Sequence, residues 1–220
     1  WSKYISNKNL ETWTMKINDE LTGFYEKEFL SLKNKKCRIL EIGFRHGASL
    51  YLWANYFSNA KIIGIDNGSD ISVNNQAPLN EKWINNKKIS TIFGDAYSYD
   101  FSKTITSKFD IIIDDGPHTL KSQKIFLDLY LNKLKLNGVA IIEDLQKYGG
   151  LVILLLILNT PLKYKIEFYD FRKKTKLGDD MLYVVRNLEG NQLFNRINII
   201  FLASKYLITD RLFRLLKKFL

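Results

Sequence analysis

The chain has one cysteine, Cys37, three prolines and two histidines, and its longest unbroken apolar run is the eight residues LVILLLIL at 151–158. A single cysteine excludes an internal disulfide framework and a thiolate zinc site, and it points to a reducing compartment, the cytoplasm. Cys37 opens an apolar strand and reads as an inert core residue. So few prolines exclude Pro-rich and collagen-like chains. The apolar run falls well short of the roughly 20 residues a membrane-spanning helix needs. The opening WSKYISNKN has no apolar run behind a basic start, so no secretory leader is expected in it, and without an initiator Met the true N-terminus stays open. Repeats and low-complexity tracts are also missing. Acidic residues are the minority: 23 Asp and Glu stand against 33 Lys and Arg, a net charge of +10. That balance permits nucleic acid, an anionic membrane surface, or a phosphorylated or sugar-acid substrate.

What is present is a globular core. With 220 residues, 46% apolar and 14% aromatic, the chain is long enough for one domain with appendages and too apolar for disorder. Residues 18–32 carry Leu21, Phe24, Tyr25, Phe29 and Leu32 at helical spacing. From Cys37 the pattern changes to short apolar strands alternating with helices. Strands are expected at 38–43, 61–66, 89–93, 109–114 and 138–143. Helices are expected after the first strand, around 80–84, and at 122–134 with Ile125, Phe126, Leu129 and Tyr130 on one face. This alternation specifies an α/β doubly wound, mostly parallel Rossmann-like sheet. Two further strands, 164–171 and 181–186, flank the turn-rich RKKTKLGDD and predict a closing antiparallel hairpin. The expected organisation is a helical lead-in at 1–36, a catalytic domain at 37–190 and a basic helical tail at 191–220.

In an open α/β sheet, ligands bind beyond the carboxyl ends of the strands, so the residues that follow each strand carry the functional reading. Strand one delivers Glu41, Gly43, Arg45, His46 and Gly47. Strand two delivers Asp66, strand three Gly94 and Asp95, strand four Asp114, Asp115, Gly116 and His118, and strand five Glu143 and Asp144. The first loop, EIGFRHG, has phenylalanine where the dinucleotide fingerprint GxGxxG has its second glycine, which weakens a pyrophosphate reading. An acid after strand two suits ribose hydroxyls, and one after strand three can accept from an adenine amino group. Together they favour an adenosine ligand without pyrophosphate, S-adenosyl-L-methionine. DDGPH after strand four faces Glu143 and Asp144 on the neighbouring strand. Asp115, Glu143 and Asp144 offer hard oxygen ligands for Mg²⁺ or a similar divalent cation. His118 is left as a general base, since imidazoles titrate near working pH. Asp114 reads as a loop cap or buried acceptor more than as a ligand. His46 reads as positioning backbone or as solvent-exposed, and Trp53 and Tyr56 as core.

The segments ILEIGFRHGASLYLWANYFSNAKIIGID, IIIDDGPHTLKSQ and GVAIIEDL resemble class I S-adenosylmethionine-dependent O-methyltransferases. They are most similar to the metal-dependent enzymes that act on macrolide and aminocoumarin deoxysugars, with relatives in polysaccharide biosynthesis. The resemblance runs from about residue 18 to 186. It implies a cofactor set of Glu41, Gly43, Gly47, Asp66, Gly94, Asp95 and Asp114, a metal set of Asp115, Glu143 and Asp144, and His118 and Asp115 as the catalytic pair. It implies a sugar, glycan or glycosylated small molecule as acceptor. Pro117 stands where serine is usual, and the segment NKNLETWTMKIND before the first helix departs from the family's polar lead-in. The stretch LQKYGGLVILLLIL after Asp144 is unusually apolar and is expected to shape an acceptor pocket or an oligomer contact.

Three rival readings are weighed beside this one. A nucleic-acid methyltransferase on the same fold fits the net charge, but the acid-rich edge opposes phosphates. A non-catalytic binding module would have a degraded acid set, and here the set is complete. A hydroxylase-like relative would share the scaffold. In the tail, Lys205, Arg211, Arg214, Lys217 and Lys218 accompany a stripe of Leu212, Leu215, Leu216 and Phe219. That pattern is expected to pack on the domain or on a second subunit, with peripheral contact to the inner membrane face as the alternative.

Overall fold

The computed structural model describes residues 19–69, 85–145, 149–172, 180–190 and 192–216; the side chains of 19–20, 149–150 and 208–216 lie outside the description. The expected helix around 80–84, most of RKKTK and the NKNLETWTMKI segment also lie outside it.

The chain begins with α1 (Asp19–Phe29) and a 3₁₀ turn (Leu30–Leu32). It then alternates through β1 (Cys37–Ile42), α2 (Ala48–Tyr56), β2 (Ala60–Asp66), β3 (Ile89–Phe93), α3 (Tyr99–Thr104), β4 (Phe109–Asp114) and α4 (Leu120–Tyr130). β5 (Leu134–Ile142), α5 (Gly149–Asn159), β6 (Lys165–Asp170), β7 (Met181–Arg186) and α6 (Leu193–Leu216) complete it. The seven strands form one sheet in the order β3-β2-β1-β4-β5-β7-β6. All neighbours are parallel except β7, which runs antiparallel to both β5 and β6. The expected doubly wound sheet with a closing hairpin is therefore present.

Alternation along the central strands divides the core into two layers. Leu40, Ile42, Ile112, Ala140 and Ile142 face α4 and α5, where Phe126, Tyr130, Ile153 and Leu156 are buried. Ile39, Ile111, Ile113, Val139 and Ile141 face the other way, onto Tyr25, Phe29, Trp53, Tyr56 and Phe57. Strands buried on both faces read as continuous apolar runs, which is why RILEIG and FDIIID were legible.

Besides one-residue differences at strand ends, α5 forms where the sequence reading named only an apolar stretch, and three further elements differ from that reading. β5 starts at Leu134, four residues before the apolar run, and its register against β4 shifts between Phe109 and Ile111. Asn137 sits there at φ +61°, a local irregularity that hydropathy does not show. α4 starts at Leu120 because Thr119 and Ser122 form a reciprocal cap. α3 is too short for an apolar period, although the Ser98 side chain caps it from Phe101 N.

The tail is one helix over its described length, and its beginning is fastened to the domain. Asn195 pairs through its amide with Ile166 N (2.7 Å) and Ile166 O (2.9 Å) on β6. Arg196, buried, donates to Ile157 O (2.7 Å) and Pro161 O (2.9 Å) at the end of α5. Val152, Ile153, Leu156 and Ile157 of the apolar stretch belong to the core. Among the described residues no helix is long and apolar enough to cross a membrane.

α1 is held to the far edge of the sheet by an ion cluster of Glu28, Arg186, Glu167 and Lys165. Arg186 on β7 makes a two-pronged pair with Glu28 on α1 and donates from Nε to Glu167 Oε2 on β6 (2.7 Å). Burial would raise the Glu167 carboxyl, but hydrogen bonds from Lys165 and Arg186 outweigh it and hold the group below its ordinary value. Arg186→Met removes the guanidinium that Glu28 and Glu167 share, leaving Glu167 with Lys165 alone, and is expected to cost about 3 kcal/mol in urea unfolding at neutral pH. Glu167's share of that stability is fully present above its ordinary carboxylate pKa and fades as pH falls through the lowered one. The gap between variant and wild type should therefore narrow in acid; a gap that is absent at neutral pH, or that widens in acid, would contradict the assignment.

Candidate active site

Backbone hydrogen bonds carry the sheet's ladder one residue past the strand ends. Gly94 N donates to Asp66 O (2.9 Å), Gly43 N to Ile65 O (2.8 Å), Asp115 N to Ile42 O (2.9 Å) and Glu143 N to Asp114 O (2.9 Å). The first loop residue after each of four strands is thus pinned to its neighbour at one level. On the far side Leu145 N reaches Met181 O (3.2 Å), which brings the start of β7 to the same edge. A cleft of about 850 Å³ opens there.

One half of the cleft lies over β1, β2 and β3. Gly43, Arg45, Asp66, Gly94 and Asp95 line it. Asp66 braces the first loop, accepting from Arg45 N at Oδ2 (2.8 Å) and from Gly68 N at Oδ1 (2.7 Å). Asp95 accepts from Tyr97 N (2.9 Å). Gly47, at φ +88°, is the cap residue of α2 and does not line the cleft. Glu41 is fully buried behind it, accepting from Trp53 Nε1 (2.8 Å). Asp114 is also buried and accepts from the Tyr97 hydroxyl (2.5 Å). Burial pushes its carboxyl up to about 6, with the Tyr97 hydrogen bond opposing that rise. Glu41, Gly47 and Asp114 therefore shape the cleft from outside it. His46, read from the sequence as positioning backbone or as solvent-exposed, is buried, which leaves the first of those readings.

The other half lies over β4, β5 and β7. Asp115, His118 and Asp144 each present one ligand atom, all within 4.8 Å of one another. His118 Nε2 is 3.8 Å from Asp115 Oδ1 and 3.7 Å from Asp144 Oδ2. Both separations exceed a hydrogen bond and leave room between the groups. His118 (φ +53°) and Asp144 (φ +52°) both adopt left-handed backbone conformations, which non-glycine residues avoid at a cost of about 1–2 kcal/mol each. Glu143, expected as a ligand, borders the cleft but is not in this trio. Its carboxylate is buried and accepts the hydroxyl of Tyr25, itself fully buried on α1.

Tyr25, Tyr97 and Asp180 were not singled out from the sequence. Tyr25 looked like one more apolar position of a helix face, and Asp180 like part of a polar turn. Only the fold brings them to the strand ends. The α5 stretch, expected to shape an acceptor pocket or an oligomer contact, contributes no cleft-lining residue among those described; Val152, Ile153, Leu156 and Ile157 are spent on the core, while Leu151 and Leu158 are exposed.

Gly43 is a point of close approach between the two halves. It has φ +85°, and a Cβ there would lie 2.6 Å from the Asp115 carbonyl carbon and 2.9 Å from Gly116 Cα. Gly43→Ala should therefore lower stability by about 2 kcal/mol or more. Gly23→Ala, on exposed helix with nothing within 4 Å of the new Cβ, should instead gain about 0.5–1 kcal/mol. Urea unfolding of the two variants checks both signs.

No family model matches the chain. Curated relatives do match its sequence. The mycinamicin VI 2''-O-methyltransferase of Micromonospora griseorubida is 28% identical over 134 residues, 56% of this chain and 31% of that protein. A tetracenomycin 3'-O-methyltransferase of Streptomyces olivaceus, acting on a methoxyrhamnosyl precursor by its name, is 27% identical over 144 residues, 59% of this chain and 34% of that one. The chain thus spans about a third of the length of the curated relatives it matches. Among solved structures, the MycE methyltransferase of mycinamycin biosynthesis, in complex with Mg and SAH, superposes with a TM-score of 0.58 at 20% identity, over 84% of this chain and 54% of that one. An O-methyltransferase structure from Klebsiella pneumoniae gives 0.63 at 13% identity, over 86% and 89%. The fold is that of the class I methyltransferases, and in sequence the chain is similar to sugar O-methyltransferases.

Proposed function

We propose that the chain is the S-adenosylmethionine-binding, catalytic part of a cation-assisted O-methyltransferase acting on a sugar or glycan hydroxyl. The observation that carries this reading is the meeting of Asp115, His118 and Asp144 within 4.8 Å, in the same cleft as Asp66 and Asp95. Two facts support a cation there. The groups converge without hydrogen-bonding to one another, and two of the three hold strained backbone. Carboxylate oxygens with one imidazole suit a hard or borderline divalent ion. Asp115 and Asp144 would hold it, with Glu143 beside them braced by Tyr25.

When bound, the cation supplies Lewis acidity toward an acceptor hydroxyl, and S-adenosylmethionine supplies a methyl group on a sulfonium that brings its own leaving group. The chain's residues do the rest. Asp66 and Asp95 hold the ribose and adenine ends. Gly43 lets backbone approach closely where the two halves of the cleft meet. His118 Nε2 takes the acceptor's proton, and the acids on either side of it stabilise the imidazolium that results. Leu21 on α1 closes part of the cleft wall and limits water. The carboxylate-lined mouth opposes a polyphosphate backbone, which favours a sugar over the nucleic-acid alternative. The basic helix α6 leaves Phe194, Ile197 and Phe201 exposed, a face that supports the reading of a contact with a membrane surface or a second subunit.

His118→Ala separates the role of base from the role of ligand. As a base, its loss should cut methyl transfer by about 10²-fold or more, with Mn²⁺ affinity held within about threefold. A loss of Mn²⁺ affinity by about 10–100-fold would make it a ligand instead. Undiminished turnover in that variant, or in excess chelator, would remove the mechanism.

A further inference from the structure

Among the described residues, the Asp180 carboxylate keeps a buried oxygen without a partner. The residue is 4% exposed, and the oxygen is Oδ2. Its backbone carbonyl accepts from Phe171 N (2.9 Å). It stands one residue before β7, where Leu145 N meets Met181 O, and it lines the cleft together with Glu143 and Asp144. A buried, unpartnered carboxylate oxygen costs a few kcal/mol. Such groups in native folds call for an explanation, and a missing ligand is one of them.

Position in the sheet selects the ligand. Asp66 and Asp95 follow β2 and β3, at one side of the cleft. Asp115 and Asp144 follow β4 and β5 at its centre. β7 lies beyond β5, on the side away from the proposed adenosine end. Asp180 is also outside the trio of converging ligand atoms, so it is not a further ligand of that cluster. What remains is the acceptor. An ionised carboxylate only accepts hydrogen bonds, so its partner is a donor.

We propose that Asp180 accepts a hydrogen bond from a second hydroxyl of the acceptor sugar and thereby selects which hydroxyl faces His118. This rests on the sugar O-methyltransferase reading and adds to it a specificity-determining residue.

The test uses the chain with Mn²⁺ and S-adenosylhomocysteine bound, and methyl α-L-rhamnopyranoside with its monodeoxy analogues as probes, followed by saturation-transfer NMR. Wild type should bind the parent glycoside at least about tenfold more tightly than one monodeoxy analogue. Asp180→Ala should bind the two equally. Asp180→Asn, which keeps the shape and removes the unpartnered charge, should raise the unliganded melting temperature by about 2–4 °C. Both variants should keep Mn²⁺ and S-adenosylhomocysteine affinity within about twofold. A fall in melting temperature for Asp180→Asn would make the residue structural, and a fall in Mn²⁺ affinity would make it a ligand; either overturns the proposal. So does unchanged discrimination in Asp180→Ala, or a wild type that binds Mn²⁺ and S-adenosylhomocysteine but none of the glycosides. A wild type that binds neither Mn²⁺ nor S-adenosylhomocysteine overturns the underlying reading, and the proposal with it.

Discussion

Four backbone hydrogen bonds beyond the strand ends, from Gly94, Gly43, Asp115 and Glu143, are the constraint on which the cleft depends. In a parallel sheet the slanted ladder fixes each strand's register against its neighbour. When the ladder runs one residue further, it fixes the loops as well. Asp66, Asp95, Asp115 and Asp144 then stand on backbone that the core has already immobilised. Gly43 makes this possible sterically, because any side chain there would press into the Asp115–Gly116 backbone. The apolar strands and the polar site are in that sense one design. Burial of Ile39 to Ile42 and Ile111 to Ile113 sets the level at which the acids emerge.

Charge is distributed against the chain's net balance. The sequence carries +10, yet carboxylates line the cleft. Lys35 and Lys36 lie exposed at the opposite end of β1, away from the chemistry. The acids are handled in two ways. Those that support the loops each accept a hydrogen bond from within the fold: Glu41 from Trp53, Asp114 from Tyr97, Glu143 from Tyr25. Asp115 and Asp144, which line the cleft, also converge with His118. Like charges brought together on strained backbone are costly unless something positive completes them.

Much of this was legible in the sequence, and for identifiable reasons. β3, β4 and β7 were bounded correctly because each is a short run rich in β-branched and aromatic residues closed by a polar residue or glycine. Residues following the strands fell on one edge because a doubly wound fold leaves no other place for them. Contacts across the fold were not legible. Tyr25 reaches Glu143 over 118 positions, and no local pattern marks that hydroxyl among other aromatic helix residues. The metal trio differed for a similar reason. Glu143 and Asp144 look equivalent as adjacent acids, but neighbours at a strand end point to opposite sides, so one is buried under α1 and the other meets His118. The β4–β5 register shift and the docking of Arg196 onto α5 are tertiary in origin and left no period to read.

The central claim is that Asp115 and Asp144 make a divalent-cation site in a cleft built for an adenosyl cofactor. Mn²⁺ titration of the chain saturated with S-adenosylhomocysteine, followed by electron paramagnetic resonance, tests it most directly. One Mn²⁺ per chain should bind to wild type and be lost in Asp115→Asn and Asp144→Asn, with S-adenosylhomocysteine still bound. Absence of a stoichiometric Mn²⁺ signal in wild type, or a signal undiminished in both variants, would contradict it.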